Sequence, residues 1–170
     1  MPVSVAGAYV RSGLFLLTAL VLHLTLFSDL RVLGVAPEVP LAIAVTAGLA
    51  GGPERGAVAG FAIGLGIDLY LPTLFGLSAL IYTVWGYTVG LLEERIFRSA
   101  WWINVLVTAA ATAGGLLVYA VLGELLGEAN LYTDHLYVVM GVAAAYNLVL
   151  SLPLLGLWHW SWPRLLGEER

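Results

Sequence analysis

The sequence predicts an all-α, polytopic integral membrane protein, and three features of its composition support that fold class. Of the 170 residues, 61% are hydrophobic and only 11% are charged, whereas a soluble domain carries about 25% charged residues. The mean hydropathy is +0.94. A soluble domain of this size could not bury so much apolar surface, so a lipid bilayer is the expected solvent.

Composition also limits the chemistry that the chain can perform. The net charge is −4 and there is no basic tract, so nucleic acid is not an expected partner. The absence of cysteine excludes disulfides, thiolate zinc sites and a cysteine nucleophile. The sequence also lacks a zinc-protease motif, a phosphate-binding loop and a nucleophile elbow. We therefore predict no catalytic residue, metal site or cofactor, and a protein that is not an enzyme.

Six apolar stretches, separated by charged residues, proline and glycine, are candidate transmembrane helices of a single domain covering residues 1–170. Each approaches the length of about 20 residues that a helix needs to cross the hydrocarbon core. They are residues 12–29, 34–52, 54–71, 74–93, 100–123 and 134–158.

The first two spans begin differently. Arg11 precedes an apolar run, Leu14–Phe27, and no small-residue cleavage site follows, so we predict an uncleaved span rather than a signal peptide. The second span opens with Pro-Glu-Val-Pro at residues 37–40, which predicts an irregular or re-entrant outer end. Five full spans plus a partial one is therefore an alternative to six.

The later spans are marked by a turn and by tryptophans. Only Leu71, Pro72 and Thr73 separate the third and fourth spans, which predicts a very tight turn and two antiparallel neighbours. The fifth span opens with two tryptophans at residues 101–102, and the sixth closes on a tryptophan-rich segment, residues 158–162. Because tryptophan prefers the membrane interface, we expect these two ends at one membrane surface.

The distribution of arginine predicts the orientation of the chain. With a cytoplasmic N-terminus, six of the seven basic residues lie on the cytoplasmic side and only Arg31 lies outside. An excess of positive charge in cytoplasmic loops is typical of inner-membrane proteins. We therefore predict a multi-pass inner-membrane protein with both termini in the cytoplasm. The six residues are Arg11, Arg55, Arg95, Arg98, Arg164 and Arg170.

Glycine recurs at every fourth position of the third span, at Gly56, Gly60 and Gly64. Residues four apart share one face of a helix, so these glycines form a smooth groove about 12 Å long. Gly86 and Gly90 make a second such pair on the fourth span. Close backbone approach drives helix association in lipid. The groove is predicted to receive a helix of the same chain, a partner's helix, or a second copy in a homodimer.

Asp68 extends the glycine row by one step and lies near the predicted outer end of the third span. Three roles are open for this carboxylate: accepting hydrogen bonds from the following turn, facing an outer cavity, or contacting a partner. Glu38 is expected at the same depth, where the two acids would form an outer polar cluster.

Polar residues also recur along the last two spans. Asn104, Thr108 and Thr112 lie four apart on the fifth span, and Asn147 lies on the sixth. Such residues typically hydrogen-bond to neighbouring helices or to their own backbone. Asn147 and the adjacent Tyr146 are also the candidates for lining a ligand pocket.

The central part of the sequence resembles the MreD family. The shared features are the glycine-spaced helix that ends at Asp68, the Phe-Gly-Leu-Ser-Ala-Leu segment at residues 75–80, and the Gly-Tyr-x-x-Gly motif that starts at Gly86. The Pro37-Glu38 pair matches the opening of that family's second span. Phe75 departs from the pattern, which has leucine or a similar residue there. The resemblance covers about residues 35–98.

This resemblance implies a function that the residue patterns do not show. MreD is a rod shape-determining protein of the bacterial inner membrane and is regarded as a non-enzymatic partner of MreC. It works in the cell-elongation machinery with the actin-like MreB and with the peptidoglycan synthase pair of RodA and a class B penicillin-binding protein. Its fold is thought similar to the substrate-binding subunits of energy-coupling-factor transporters.

That last similarity provides an alternative function, a vitamin-type substrate-binding subunit of such a transporter. It requires an enclosed pocket where Glu38, Asp68, Tyr146 and Asn147 converge. Substrate binding would also require outer loops long enough to close the pocket, and only the loop 123–134 has that length.

Overall fold

The computed structural model describes residues 5–27, 29–31, 34–71, 74–96, 101–127 and 136–161. Every regular element in these ranges is helical, in agreement with the predicted all-α class. A π-helical turn, His23–Phe27, extends the first helix. The six α-helices are α1 (Val5–Leu22), α2 (Val39–Gly51), α3 (Pro53–Tyr70), α4 (Leu77–Ile96), α5 (Trp101–Leu125) and α6 (Leu136–Ser161).

Three helical segments are long and apolar enough to cross a membrane, namely Ala6–Phe27, Trp102–Leu125 and Leu136–Ser161. The remaining helices differ from them in length or charge. Helix α2 is apolar but shorter, and α3 carries Glu54 and Asp68. The fold is therefore consistent with a membrane protein, while six crossings with cytoplasmic termini stay a prediction.

The second predicted span is helical only in part. Residues 36–38 are not helical, and α2 has 13 residues, or about 20 Å at 1.5 Å per residue, against about 30 Å of hydrocarbon. Pro37 disfavours helical geometry in the residue before it. Pro40 is tolerated in the first turn because a backbone N–H at that position would have no partner within the helix. The irregular beginning of this span, expected from these prolines, is therefore present, while its location on the outer side of the membrane stays a prediction.

Apart from shifts of one to three residues at the ends of the later helices, the other boundaries differ from the predicted ones at two places. Helix α1 begins at Val5, so Arg11 lies inside the helix rather than ahead of it. Helix α4 begins at Leu77, so the turn after α3 is longer than the predicted three residues. Gly76, with φ of +94°, occupies a left-handed conformation just before α4. Pro72 and Thr73 lie outside the described residues.

Helices α2, α3 and α4 form the centre of the molecule. Gly52 alone joins α2 to α3, and its φ of +82° permits the reversal that makes them antiparallel. Eleven of the 13 residues of α2 are buried. The α5–α6 pair packs against α2, and the Trp85 Nε1 group of α4 donates a 2.5 Å hydrogen bond to the Ala111 carbonyl of α5. Helix α1 lies outside, against α3 and α6.

Candidate functional site

The predicted glycine groove is filled by α4. A Cβ at Gly64 would lie 2.6 Å from the Cα of Ala79, and a Cβ at Gly60 would overlap the Tyr82 carbonyl. Nonbonded carbon atoms pack at about 3.5–4.0 Å, so neither position has room for any side chain. Here the groove receives a helix of the same chain, which is one of the three occupants considered from the sequence.

A third helix contributes to this contact. A Cβ at Gly56 would lie 2.8 Å from the Cα of Gly48 on α2, and one at Gly86 would lie 3.0 Å from the Ala44 carbonyl oxygen. Gly90 faces the α2–α3 junction, where its Cβ would lie 2.6 Å from the Gly52 carbonyl carbon. We call the six residues with such close contacts the glycine interface. Its members are Gly48, Gly56, Gly60, Gly64, Gly86 and Gly90.

Asp68 is a buried cap for α4. Its carboxylate accepts three backbone hydrogen bonds, from the N–H groups of Gly76 (3.0 Å), Ser78 (3.1 Å) and Ala79 (3.0 Å). The first N–H groups of a helix have no partner within the helix, and the dipole there favours negative charge. With Asp68 only 4% exposed, these three bonds compensate the cost of burying the carboxylate. Three roles were considered for Asp68. This geometry corresponds to the first of them, in which the carboxylate accepts hydrogen bonds from the turn that follows α3.

Glu38 belongs to a second group, which we call the polar cluster: Glu38, Tyr82, Thr112 and Asn147. The half-buried Glu38 carboxyl group is hydrogen-bonded to Tyr82. Asn147, fully buried, donates through Nδ2 to the Glu38 carbonyl and to the Thr112 hydroxyl, both at 2.9 Å. The cluster therefore joins α2, α4, α5 and α6 where the short α2 begins.

The two acids lie at similar distances from the α2–α3 junction but serve different contacts. Measured from Gly52 along α2 and α3, Glu38 and Asp68 are about 21 Å and 24 Å distant at 1.5 Å per residue. Asp68 caps the first turn of α4, whereas Glu38 contacts Tyr82, farther along that helix. Each carboxylate thus has its own partners on α4.

A comparison with protein-family models matches residues 6–160 to rod shape-determining protein MreD. This chain belongs to the MreD family. The match extends well beyond the central segment on which the sequence resemblance rests. No curated protein and no solved structure shows a significant match.

The structure brings together some, but not all, of the residues suggested for a ligand pocket. Glu38 and Asn147 meet in the polar cluster. Tyr146 is half-buried, and the hydrogen bonds described for the cluster do not include it. A shallow depression of about 350 Å³ lies elsewhere, on α5, between Trp102 and Ala110. Its lining is apolar, with Ile103, Leu106 and Val107 as the other residues.

Sequence reasoning overlooked Gly48. It brought Glu38 and Asn147 together only as lining of the transporter-type pocket, and it did not anticipate the hydrogen bond from Asn147 to the Glu38 backbone carbonyl. Gly48, Gly52 and Gly56 are also spaced by four, a signal that the glycine row continues across the α2–α3 junction. Residues 38 and 147 are 109 positions apart, and no local pattern could have paired them.

Replacing Asn147 by leucine should destabilise this MreD protein by about 1–2 kcal/mol, because two hydrogen bonds are lost at a fully buried site. Thr112→Val removes the hydroxyl that accepts from Asn147, and with it the hydrogen bond that this hydroxyl donates to the Thr108 carbonyl within α5. In a double-mutant cycle, we expect coupling of about 0.6 kcal/mol and at most about 1.7 kcal/mol, as for hydrogen bonds between membrane helices. Unfolding of the four proteins in detergent measures it. Additive effects would show that the 2.9 Å contact contributes no coupling.

Proposed function

We propose that this MreD protein is a non-enzymatic, multi-pass subunit of the bacterial inner membrane that binds MreC and helps control cell shape and peptidoglycan synthesis. The family match over residues 6–160, which supports a role in rod shape determination, carries the proposal. MreB, RodA and a class B penicillin-binding protein are the further partners that we propose within the cell-elongation complex.

The packing of the helices supports a scaffold role. The glycine interface leaves no groove between α3 and α4 for another chain, because backbone atoms of the same chain fill it. Among the described side chains of α1, only Ala8 and Ala19 are buried. Large apolar side chains are exposed on the outer helices, including Leu17 on α1, Leu106 on α5 and Val149 on α6. We propose that the transmembrane helix of MreC packs against one of these outer faces rather than into the glycine groove.

Cysteine cross-linking tests this proposal, because the chain has no cysteine of its own. Single variants Leu17→Cys, Leu106→Cys and Val149→Cys place one thiol on each outer helix, and MreC receives one thiol in its transmembrane segment. We expect the wild-type proteins to co-purify and one site to form a strong disulfide with MreC. The other two sites serve as matched controls for random collision in the membrane.

The other outcomes are also informative. Disulfides between two copies of this chain would identify a homodimer surface, which we include among the proposed assemblies. If MreC does not co-purify with the wild-type protein, and if deletion of this gene leaves cell width unchanged, the proposal is wrong.

A further inference from the structure

We propose that Arg11 and Trp160 form a binding site for the phosphate of an anionic phospholipid, at the junction of α1 and α6. The guanidinium carbon of Arg11 lies 5.5 Å from the centroid of the Trp160 ring. This distance is within the range of a cation–π contact. One turn farther along α1, Phe15 packs edge-on against Trp158, with ring centroids 5.0 Å apart and an interplanar angle of 86°. Two aromatic contacts therefore hold the two helices together around the arginine.

The ring contact holds Arg11 in place, and none of the described residues uses its hydrogen-bonding capacity. A guanidinium group has five N–H donors in a rigid plane, and contact with a ring face does not satisfy them. Within the part of the chain that the structure describes, Arg11 has this ring contact and no hydrogen bond or ion pair. A planar donor fork of this kind matches the oxygens of a phosphate group.

Near this contact, two further polar groups have no acceptor among the described residues. They are the hydroxyl of Ser12, next to Arg11 in the chain, and the Nε1 group of Trp158, a residue only 6% exposed. Both atoms are buried without a partner among the described residues. Buried donors are normally satisfied, whereas the described residues around this junction leave both donors, and the neighbouring arginine, without an acceptor.

The surroundings favour a lipid over a free anion. Apolar side chains on both helices are exposed next to the arginine, with Leu14 59% exposed, Leu157 42% exposed and the Trp160 ring 62% exposed. Acyl chains can pack on the leucines while the phosphate contacts the guanidinium group, and tryptophan at this position is typical of the membrane interface. An anionic headgroup is preferred over a zwitterionic one. A zwitterionic headgroup carries its own positive charge, which would compete with Arg11 for the phosphate.

Native mass spectrometry of the full chain in detergent tests the site, with phosphatidylglycerol and phosphatidylcholine as the lipid probes and inorganic phosphate as the third. We expect the wild-type protein to retain phosphatidylglycerol preferentially and Arg11→Gln to weaken that binding about tenfold. Arg11→Lys keeps the charge but loses the planar fork, so it should fall between the two. Trp160→Leu should weaken binding by a smaller factor than Arg11→Gln.

Arg31→Gln is the matched control, because it removes the same charge beyond the other end of α1. It should leave phosphatidylglycerol binding unchanged. All variants should remain folded in detergent, with a slightly lower melting temperature for Arg11→Gln and Trp160→Leu because they lose the ring contact. Equal binding by the wild type and Arg11→Gln, or an equal loss in Arg31→Gln, would overturn the proposal. Tight binding of inorganic phosphate alone would overturn the assignment to a lipid. None of these outcomes depends on MreC.

Discussion

Replacing Gly60 by alanine is expected to destabilise the protein by about 1–3 kcal/mol, the range for forcing an extra carbon into a packed core. Gly60→Leu is expected to prevent folding. The added Cβ would overlap the carbonyl of Tyr82 on α4, and a backbone atom cannot move aside as a flexible side chain can. The measurements are the unfolding curve of the alanine variant in detergent and, for the leucine variant, the yield of monodisperse protein on size-exclusion chromatography.

The chain contains matched controls for this experiment. Gly141 and Gly156 are helical glycines of α6, and a Cβ at either position would have no heavy atom within 4 Å. Alanine is favoured over glycine in a helix by about 1 kcal/mol, so Gly156→Ala should leave stability unchanged or slightly raised. A folded Gly60→Leu protein with the wild-type melting temperature would contradict the glycine interface described here.

This prediction also separates internal packing from partner binding. If the glycine row bound MreC directly, Gly60→Leu would yield a well-folded protein that no longer co-purified with MreC. The contact with Tyr82 predicts instead that the folded protein itself is lost. Loss of cell-width control in such a variant would therefore follow from loss of the protein.

Asp68→Ala should destabilise the protein by about 2–3 kcal/mol, because three backbone N–H groups at the start of α4 lose a charged acceptor in a buried site. Asp68→Asn keeps one acceptor oxygen and should cost less. Chemical unfolding in detergent gives the free-energy difference. Hydrogen exchange of the amides in residues 76–79 should increase more than exchange elsewhere in α4, which locates the effect at the cap.

Asp29→Ala is the control, since it removes an exposed carboxylate and should change stability by no more than about 0.5 kcal/mol. An Asp68→Ala protein that is as stable as the wild type but fails to bind MreC would show that this carboxylate serves a partner rather than α4. Unchanged protection of the amides at residues 76–79 would likewise exclude the capping role.

Several features were predictable because each depends on neighbours in the chain. The helices follow from long apolar stretches, and the glycine face follows from the spacing of four between Gly56, Gly60 and Gly64. The three backbone groups that donate to Asp68 follow it by only 8–11 positions in the chain. A hydrogen bond from Asp68 to the following turn could therefore be proposed from the sequence, as one of three roles. The two prolines at positions 37 and 40 likewise predicted the irregular start of α2.

Other features could not be predicted from local patterns. Periodicity identifies a smooth helix face but does not identify its occupant, because helices of this chain, of a partner or of a second copy could equally fit it. The same limit applies to the polar cluster, in which Glu38 directly precedes α2, Thr112 lies on α5 and Asn147 lies on α6. Their partners are defined only when α5 and α6 pack against the start of α2.

The sequence by itself determined that this chain is helical and apolar, which residues share the glycine face, and which family it belongs to, since these properties depend on composition and on spacing along one helix. Only the tertiary structure decided that α2 and α4 occupy that face, that Asp68 caps α4, and that Arg11 meets Trp160 across the α1–α6 junction. The physical reason is that contacts between helices depend on the relative positions of their axes, and no single helix specifies those positions.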